Sequence, residues 1–471
     1  MINIVDAEIV IEKIKNINFL SIMKEVAKEE GYELYIVGGF IRDLFLGKNP
    51  NEIDFLVIGD GACFAEKVAQ KFNINNVVIF KNFGTAYFQL YGYKLEFVGA
   101  RKESYNRDSR KPIVENGTFD DDISRRDFTI NAIALSINDD FKIIDKFSGI
   151  EDLKKGIIKT PIDPMITFDD DPLRILRAFR FASKLQFAPV PDVLNAATQL
   201  AERLTIVSQE RITDEFLKIL SSDKPSIGLK LLYQTKTLKY VFEELENLAG
   251  VEQVGLYAHK DVFLHTCQVV DNISQVTDNL WLRFAALVHD IGKPKTKKFV
   301  EGIGWTYHGH DEIGARMIKD IFKRLKLPYI HINYVKKLVR LHLRPIALAA
   351  QDVTDSAIRR LIVQAGDDLQ DLITLCRADI TSGNLEKVKT YLTNYDKVMQ
   401  RVIEVQEKDK LRSFKSPIDG NEIMQLCNLK PGPIVGEIKK KIENAIIEGQ
   451  ISNTYEDAYN YLMSIKQKIV G

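Results

Sequence analysis

The segment 34–60 combines glycines, basic residues and carboxylates at a spacing that could support phosphate chemistry. Glu52 and Asp54 lie two residues apart in the apolar run EIDFLVI, which predicts a β-strand. On a strand both carboxylates would point from the same face, with their Cα atoms about 7 Å apart. Two like charges this close are costly, and a divalent cation is the usual reason to keep both ionised. The pair therefore predicts a catalytic Mg²⁺ site of the kind used in phosphoryl or nucleotidyl transfer.

A diglycine turn precedes this strand. Gly38 and Gly39 follow the apolar run LYIV and open a predicted helix, FIRDLFL. Glycines let the backbone approach a triphosphate, and the N–H groups at a helix N-terminus favour an anion. Arg42, one turn into the helix, could neutralise phosphate charge, and Asp43 follows it. The alternative is an ordinary turn followed by a solvent-exposed acidic edge; the two motifs together favour a nucleotide site.

A second set of charged residues could select a base. Asp171 and Arg174 lie three residues apart in DDPLRILRAFRFA, which predicts a helix on which they are neighbours. A carboxylate accepts and a guanidinium donates, which matches cytosine and adenine but leaves guanine and uracil with mismatched groups. A mismatch that strands a buried polar group costs about 1–3 kcal/mol. Arg177 and Arg180 continue the stripe and could hold phosphates; the alternative is a surface salt bridge.

Histidines and acids in the second half of the chain could bind a transition metal. All seven histidines lie between residues 226 and 380, and the motif HDIGKP closes an apolar helix. Neutral imidazoles combined with carboxylates bind Ni²⁺, Mn²⁺, Fe or Zn²⁺. Any single histidine is more often structural, but the set favours a metal site. The candidates are His265, His289, Asp290, Asp379, His310 and His342, with His308 as a competitor of His310.

The elements that must position these residues fall into two classes. Residues 1–30 predict one amphipathic helix, and short strands alternate with helices from 33 to about 153. Segment 101–124 is polar and charged, which predicts a long loop that is disordered or functional. After Gly156 the pattern is helical almost throughout. The predicted fold is an α+β head with a small mixed sheet, at 1–155, followed by an all-α neck, body and tail at 156–225, 226–380 and 381–471.

Bulk composition limits the classes of protein. The chain has 471 residues, 28% of them charged, with zero net charge, so a nucleic-acid partner would need a local basic face. The candidates are KPKTKK (293–298) and EIKKKIE (437–443), although both could be solvated faces. No run of eighteen apolar residues occurs, and four scattered cysteines suit a reducing cytoplasm. Acids and lysines within the N-terminal apolar pattern argue against a signal peptide.

Several motifs in order resemble one enzyme family. VGGFIRDLFLG with EIDFLV, then RRDFTINAIA (125–134), DDPLRILRAFRFA (170–182) and SQERITDEFLKIL (208–220) are similar to motifs of the polymerase-β-like tRNA nucleotidyltransferases and poly(A) polymerases. The resemblance implies nucleotide contacts for Arg126 and Asp127, with Asn131 as a weaker candidate. Segment 101–124 would be the flexible element of full CCA-adding enzymes. The family usually has Asp where this chain has Glu52, and Glu where it has Asp170.

The resemblance implies template-independent addition of CCA to tRNA 3′ ends from CTP and ATP. The helical C-terminal half would grip the acceptor arm and elbow of tRNA. The histidine region resembles an HD phosphohydrolase domain, with His265, His289, Asp290 and Asp379 as core ligands and His310 and His342 at a second metal. Its implied reaction is hydrolysis of a phosphate ester such as a 2′,3′-cyclic phosphate. The alternatives are a poly(A) polymerase, a CC-only or A-only enzyme, and an HD hydrolase whose head only binds nucleotide or RNA.

Overall fold

A computed structural model describes residues 2–80, 84–106, 109–250, 261–302, 304–349, 353–409 and 416–469. The chain divides into two compact units, Met1–Glu246 and Asn247–Gly471. This division lies within the predicted body, 226–380, and the four-part division stays a prediction. The mixed sheet in the first unit and the mainly helical remainder confirm the predicted fold class.

The N-terminal segment forms two helices, so the prediction of one helix over residues 1–30 is wrong. They are α1 (Ala7–Lys15) and α2 (Phe19–Glu30), separated by a turn in which Ile17 N–H donates to Ile14 O. The break lets each helix bury its own apolar face, including Ile14 and Phe19. The second helix ends at Gly31, whose φ of 70° is the left-handed conformation that glycine adopts without strain.

The first unit is built on a seven-stranded sheet. Its strands in chain order, with two short pairs beside the sheet, are β1 (Glu33–Val37), β2 (Glu52–Ile58), β3 (Val78–Phe80), β4 (Thr85–Leu90), β5 (Tyr93–Gly99), β6 (Arg101–Asn106), β7 (Ser109–Asn116), β8 (Ala134–Ser136), β9 (Lys142–Ile144), β10 (Ile157–Ile158) and β11 (Ala188–Pro189). The sheet order is β3-β4-β5-β2-β1-β8-β9. Strand β2 is central, antiparallel to β1 and parallel to β5.

Helices and one 3₁₀ turn connect or follow the strands of this sheet. They are α3 (Gly39–Phe45), α4 (Gly61–Lys71), α5 (Phe119–Ser124), a 3₁₀ turn (Thr129–Asn131) and α6 (Gly149–Lys155). Alternating apolar residues of neighbouring strands fill the core, where the Phe55 and Phe97 rings stack with centroids 4.8 Å apart. The core fixes the strand faces, because a one-residue slip would turn each apolar side chain outward.

Segment 101–124 is ordered locally as an antiparallel hairpin, β6 with β7, followed by α5. The expectation of a long loop is therefore wrong for most of it; residues 107–108 lie outside the described residues. Thr118 and Asp121 form a reciprocal capping box at the start of α5. The sequence did not predict the hairpin because its strands are polar. They pair with each other rather than with the apolar sheet, so they lack the apolar alternation of the other strands.

The rest of the first unit is helical. Its helices are α7 (Pro164–Asp170), α8 (Leu173–Leu185), α9 (Pro191–Gln199), a 3₁₀ segment (Ala201–Ile206), α10 (Gln209–Leu220), α11 (Pro225–Gln234), α12 (Leu238–Val241) and α13 (Glu243–Glu246). Asp171 is extended, with φ −138° and ψ 99°, and lies before α8 rather than on it. The cause is Pro172, because proline disfavours helical geometry in the preceding residue.

In its described residues, the second unit is helical apart from one small hairpin. Its elements are α14 (Val262–Ser274), α15 (Leu280–Val288), α16 (Lys293–Thr296), β12 (Lys298–Val300), β13 (Gly304–Thr306), α17 (His310–Arg324), a 3₁₀ turn (Tyr329–His331), α18 (Ile332–Leu341), α19 (Arg344–Ala347), α20 (Asp355–Ala365), a 3₁₀ turn (Gly366–Asp368), α21 (Leu369–Ala378), α22 (Leu385–Asp409), α23 (Gly420–Cys427), α24 (Pro433–Ile447) and α25 (Tyr455–Ile469). A separate apolar cluster, including Ile423, Ile442 and Leu462, holds the last three helices together. Within the described part of the chain, every helix is too short or too polar to cross a membrane.

Candidate active sites

The diglycine turn and the strand carboxylate meet at one corner of the sheet. Val37 pairs with Asp54 across β1 and β2, and Gly38 follows with a φ of +79°. A Cβ at Gly38 would lie 3.1 Å from Asp54 Oδ2 and 3.5 Å from Arg126 Nη1. The glycine is required here both by its left-handed backbone and by the close approach of these two side chains.

The two predicted metal carboxylates have different surroundings. Asp54 lines a cavity of about 480 Å³, whereas Glu52 is exposed and its Oε1 lies 3.3 Å from Lys94 Nζ. The carboxylate beside Asp54 in the cavity is Glu96, its register partner on parallel strand β5. Glu96 is not among the residues predicted from the sequence, although it lies in the region where strands were expected to alternate with helices. Only the pairing of β2 with β5 brings the two acids together.

The electrostatics of Asp54 favour a bound cation. Burial and the neighbouring carboxylate of Glu96 raise its pKa to about 6, although the Arg126 guanidinium opposes the shift. The repulsion between Asp54 and Glu96 is what a divalent cation between them would relieve. The hard oxygen donors on adjacent strands, and the glycine that leaves room beside Asp54, fit Mg²⁺ with additional oxygen ligands from a phosphate.

A buried acid anchors the paired arginines of RRDFTINAIA. Asp122 is fully buried and accepts hydrogen bonds from both Arg125 and Arg126, the latter at 3.0 Å. All three residues line the cavity. One wall is therefore cationic and oriented by an internal carboxylate, which suits binding of a phosphate chain.

Asp127 links the head to helix α8. Its Oδ2 accepts from Arg177 Nε at 2.8 Å, and its Oδ1 accepts from Asn131 Nδ2 at 3.0 Å. Burial alone would raise the pKa of Asp127, but the Arg177 cation and the hydrogen bond from Asn131 lower it to about 2. Asp127 and Arg177 thus form a charged pair that also lines the cavity.

Arg42 and Asp43 extend the hydrogen-bond network of Asp127 and Asn131 away from the cavity. Arg42 is buried, pairs with Asp43 at 2.8 Å and donates to Asn131 Oδ1 at 2.7 Å. Its guanidinium lies 5.1 Å from the Phe181 ring centroid. Neither Arg42 nor Asp43 borders the cavity, and the phosphate contact expected for Arg42 stays a prediction.

The predicted base-selecting residues lie at the cavity wall but do not pair with each other. Asp171 Oδ1 accepts from Leu173 N–H at 3.1 Å, and its Oδ2 lies 3.4 Å from Arg211 Nη2. Arg174 is buried and donates to Thr167 O at 3.3 Å. Each therefore keeps part of its hydrogen-bonding capacity for a base, in place of the predicted i,i+3 contact on a helix.

The cavity separates the predicted residues into two groups. It is lined by Asp54, Arg126, Asp127, Asp171, Arg174 and Arg177. It is not bordered by Gly38, Gly39, Arg42, Asp43, Glu52, Asn131 or Arg180. Arg180 instead lies 3.2 Å from the buried carboxylate of Glu215. The lining residues missed from sequence include Glu96, Arg101, Asp122, Arg125, Arg211, Asp214 and Glu215; those of α10 lie within a motif already identified.

The second candidate site lies in the other unit and contains all six predicted histidine and aspartate candidates. They form two groups whose potential ligand atoms lie within 4.8 Å of one another: His265, His289 and Asp379, and Asp290, His310 and His342. Asp290 joins the groups, since its Oδ2 is 3.2 Å from His289 Nε2 and its Oδ1 is 3.3 Å from His310 Nε2. His308 is exposed, so His310 is the ligand candidate of that pair.

The imidazole rings are oriented as metal ligands. The Nδ1–H groups of His289, His310 and His342 donate to the backbone carbonyls of Ala286, Tyr307 and Val339, each at 2.7 Å. A carbonyl can only accept, so Nε2 of each ring is left unprotonated in the neutral form and directed into the cluster. The buried Nε2 atoms of His289 and His310 have no hydrogen-bond partner among the described residues.

The charges of this cluster also fit a cation. Burial lowers the pKa of His289, but Asp290 and Asp379 raise it to about 10. Burial and the neighbouring His289 lower the pKa of His342 to about 4. Without a metal, the carboxylates hold a proton on His289; a divalent cation could supply that positive charge instead. A cavity of about 320 Å³ opens onto His265, Asp290 and His310.

Three segments of the chain match models of known protein domains. Residues 34–159 match the model of the poly A polymerase head domain, 186–248 the probable RNA and SrmB-binding site of polymerase A, and 262–382 the HD domain. An A-adding tRNA nucleotidyltransferase of Deinococcus radiodurans is 32% identical over 356 residues, covering 72% of this chain and 77% of the relative. A CC-adding tRNA nucleotidyltransferase of Thermus thermophilus is 28% identical over 450 residues, covering 92% and 93%.

A solved structure shares the fold. The CCA-adding enzyme of Bacillus stearothermophilus, in complex with CTP, aligns with a TM-score of 0.65 at 23% identity, covering 95% of this chain and 97% of that one. The resemblance proposed from the motifs is thus confirmed by the matched domains and relatives. The chain belongs to the tRNA nucleotidyltransferase and poly(A) polymerase family of enzymes, with an HD domain in its second unit.

Proposed function

We propose that this protein adds CCA to tRNA 3′ ends from CTP and ATP, without a nucleic-acid template, and releases pyrophosphate. The observation that carries the proposal is the corner where Gly38, Asp54 and Arg126 meet, at a cavity that also exposes Asp171 and Arg174. The acids proposed to bind the metal, the arginines proposed to bind phosphate and the residues proposed to select the base all line this cavity. The relatives that carry out A, CC or CCA addition support the same chemistry.

The chain's own residues would perform three tasks in this reaction. Asp54 and Glu96 would hold Mg²⁺, with Glu52 as an outer carboxylate; bound Mg²⁺ stabilises charge on the transferring phosphoryl group. Arg125 and Arg126 would orient the triphosphate, as would Arg177 beside Asp127. The primer 3′-oxygen then bonds to the α-phosphorus while the bond to the pyrophosphate oxygen breaks. The hydroxyl proton would pass to Glu96, at the carboxylate oxygen that does not bind the metal.

Base choice would rest on Asp171 and Arg174. Asp171 would accept from the amino group of cytosine or adenine, and Arg174 would donate to the adjacent ring nitrogen. Guanine and uracil present the opposite pattern and would leave buried polar groups unpaired. A penalty of about 1–3 kcal/mol per unpaired group corresponds to roughly 5-fold to 150-fold discrimination.

The product test uses tRNA transcripts that end before the CCA, after one C, or after two. Each transcript is incubated with CTP, ATP or all four nucleotides, and the 3′ ends are sequenced. The proposal expects C addition to the first two transcripts, A addition to the third and complete CCA with all four nucleotides. A product limited to CC, to A or to poly(A) would replace it with the corresponding alternative. The Asp54→Ala variant should incorporate nothing; unchanged incorporation would remove the proposed site.

The helical tail, 381–471, is the proposed binding region for the acceptor arm and elbow of tRNA. The protein would act in the cytoplasm, where its cysteines would stay reduced; all four are free in the structure. The neck, 156–225, would then carry the base-selecting residues, and the body, 226–380, the HD domain.

A second activity is favoured by the histidine cluster. Two groups of ligands joined by Asp290 could hold a transition metal such as Ni²⁺, Mn²⁺, Fe or Zn²⁺ and hydrolyse a phosphate ester. For a 2′,3′-cyclic phosphate, a water oxygen bonds to phosphorus, one ribose oxygen–phosphorus bond breaks, and a proton passes to that ribose oxygen. The test measures release of the monoester with Ni²⁺ or Mn²⁺. The Asp290→Asn variant should lose this activity, whereas hydrolysis unaffected by the substitution would place the activity elsewhere.

A further inference from the structure

The segment between two candidate metal ligands, Asp290 and His310, carries a small hairpin that the proposed reactions do not use. Strands β12 and β13 pair in antiparallel register, with Phe299 opposite Trp305. The adjoining lysines are those of the KPKTKK motif, 293–298. The hairpin therefore combines aromatic rings and basic side chains in a few residues.

The aromatic rings of the hairpin are accessible. The Phe299 and Trp305 ring centroids are 5.3 Å apart at an interplanar angle of 74°, and Phe299 is 57% exposed. Lys297 Nζ lies 4.6 Å from the Trp305 centroid. A cross-strand pair that served only as a core would not leave a phenylalanine this exposed, and every nucleobase offers a face to such a ring.

The lysines beside the hairpin are not neutralised by acidic side chains of the described residues. Lys295, Lys297 and Lys298 form no ion pair with any acidic side chain in the described ranges of the chain, and Lys295 and Lys298 are exposed. In contrast, Lys293 lies 2.6 Å from Asp290 Oδ2. Three cations without ion-pair partners, beside the exposed ring of Phe299 and the half-buried ring of Trp305, are complementary to a polyanion that also carries flat rings.

Both ends of the hairpin are tied to the histidine cluster. Lys293 Nζ contacts Asp290 and lies 5.8 Å from the Tyr307 ring centroid. The Tyr307 carbonyl accepts the Nδ1–H of His310 at 2.7 Å. Trp305 is only two residues from Tyr307, a step of about 7 Å along extended chain. A group on the hairpin is thus within a few residues of the cavity on both sides.

We propose that the β12–β13 hairpin is a platform that stacks a nucleobase on Phe299 and Trp305 and binds RNA phosphates through Lys295, Lys297 and Lys298. It would guide a single-stranded RNA 3′ end into the histidine cavity. The part of this inference that concerns substrate rests on the proposed hydrolase function. The preferred substrate class is then a nucleotide-bearing phosphate ester rather than a small phosphate monoester.

Binding to the platform is tested without relying on hydrolysis. The full-length Trp281→Phe protein keeps Trp305 as its single tryptophan, because the chain has two. Its fluorescence is titrated, in chelator, with a CCA trinucleotide carrying a 3′-phosphate. We expect saturable quenching, and about tenfold weaker binding in Phe299→Ala or in a Lys297→Ala/Lys298→Ala double variant. Lys319→Ala, at an exposed lysine of α17, is the matched control and should bind normally.

Three outcomes of the titration would overturn the platform. They are absence of quenching at millimolar trinucleotide, equal quenching by ribose 5-phosphate, which has no base, and an affinity unaffected by Phe299→Ala. Equal binding of a blunt RNA duplex would instead identify a double-strand contact and also reject the single-stranded assignment. Because Phe299 is exposed, its removal leaves the apolar core intact, and circular dichroism verifies the fold of each variant.

Hydrolysis then tests the substrate class. We expect Phe299→Ala to raise KM for a nucleoside 2′,3′-cyclic phosphate about tenfold and to leave p-nitrophenyl phosphate hydrolysis unchanged. Equal losses on both substrates would contradict a base-binding role. If the unmodified protein hydrolyses neither substrate, the proposed hydrolase function fails, and the Trp305 titration still decides whether the hairpin binds RNA.

Discussion

Three carboxylates lie on the paired strands β2 and β5, and their environments differ. Asp54 lines the cavity and lies beside Gly38, Glu96 faces Asp54 from the next strand, and Glu52 is exposed and held by Lys94. Glu52 occupies the place where related enzymes usually have Asp. Because its side chain is longer and contacts Lys94, we expect Glu52 to contribute least of the three to metal binding.

This difference predicts a graded loss of nucleotide addition. Asp54→Asn should reduce kcat by at least about a thousandfold, and Glu96→Gln by roughly a hundredfold, because each removes a charge from the cavity. Glu52→Gln should cost about tenfold or less. The measurement is single-turnover CTP incorporation at saturating Mg²⁺. Equal losses for Glu52→Gln and Asp54→Asn would show that Glu52 turns inward to the metal when substrate binds.

Substitution of Asp127 should lower the stability of the first unit. Asp127→Asn leaves the Arg177 guanidinium facing a neutral amide, so the free energy of unfolding of the first unit should fall by about 2 kcal/mol. Asp140 is the matched control, because it pairs with Lys15 and Lys24 at an exposed position. Asp140→Asn should cost less than about 1 kcal/mol in denaturant unfolding. Equal costs would mean that the buried pair contributes no more than a surface one.

The residue pattern within each segment predicted many of the strands. The pairing between strands, which that pattern does not show, determined which side chains meet at the cavity. The apolar residues of β2 are a local signal, and this strand formed as predicted. Gly31 likewise marks the end of α2, but the break between α1 and α2 was not predicted. Strand β8 was missed because its three residues are all buried, which removes the alternation that marks a half-buried strand. Glu96 could not be recognised because its role depends on β5 lying beside β2. The Asp171 conformation was missed although Pro172 carries the signal.

The β6–β7 hairpin predicts an effect on the switch from C to A addition. A Cβ at Gly117 would lie 2.5 Å from the backbone carbon of Arg101, where the hairpin begins at the cavity wall. Gly117→Ala must therefore displace the base of the hairpin. We expect A addition to a tRNA ending in CC to fall about tenfold more than C addition. Gly92→Ala, at an open turn between β4 and β5, controls for a general loss of stability. Parallel losses of both additions would argue against a role for the hairpin in the switch.

A substitution at Gly292, which packs against the start of α17, should selectively weaken metal binding at the histidine cluster. A Cβ at Gly292 would lie 2.2 Å from His310 O, so Gly292→Ala must push apart the segments that carry Asp290 and His310. Binding of Mn²⁺ or Ni²⁺, measured by calorimetry, should weaken at least tenfold. Gly383→Ala, where no neighbour lies within 4 Å, should bind the metal normally. Unchanged affinity in Gly292→Ala would show that His310 is not a ligand.

For the whole molecule, the described residues of the two candidate sites belong to different compact units. Asp54 and the cavity residues lie in Met1–Glu246, whereas all six histidine-cluster residues lie in Asn247–Gly471. The described cavity lining and the histidine cluster have no side chain in common. The two activities should therefore respond independently to substitution, because sites without common partners usually show additive effects.

The full chain with Asp54→Ala should lose nucleotide addition and keep phosphate-ester hydrolysis, and Asp290→Asn should give the reverse. Metal binding should show the same separation. At Mn²⁺ one hundred times above its dissociation constant, the second unit should gain about 2.7 kcal/mol of stability, which shifts one thermal transition upward. Asp290→Asn should abolish that shift, and Asp54→Ala should preserve it. If Asp54→Ala removed the shift or the hydrolysis, the two sites would be coupled, because the energy of metal binding would depend on a residue outside its own unit.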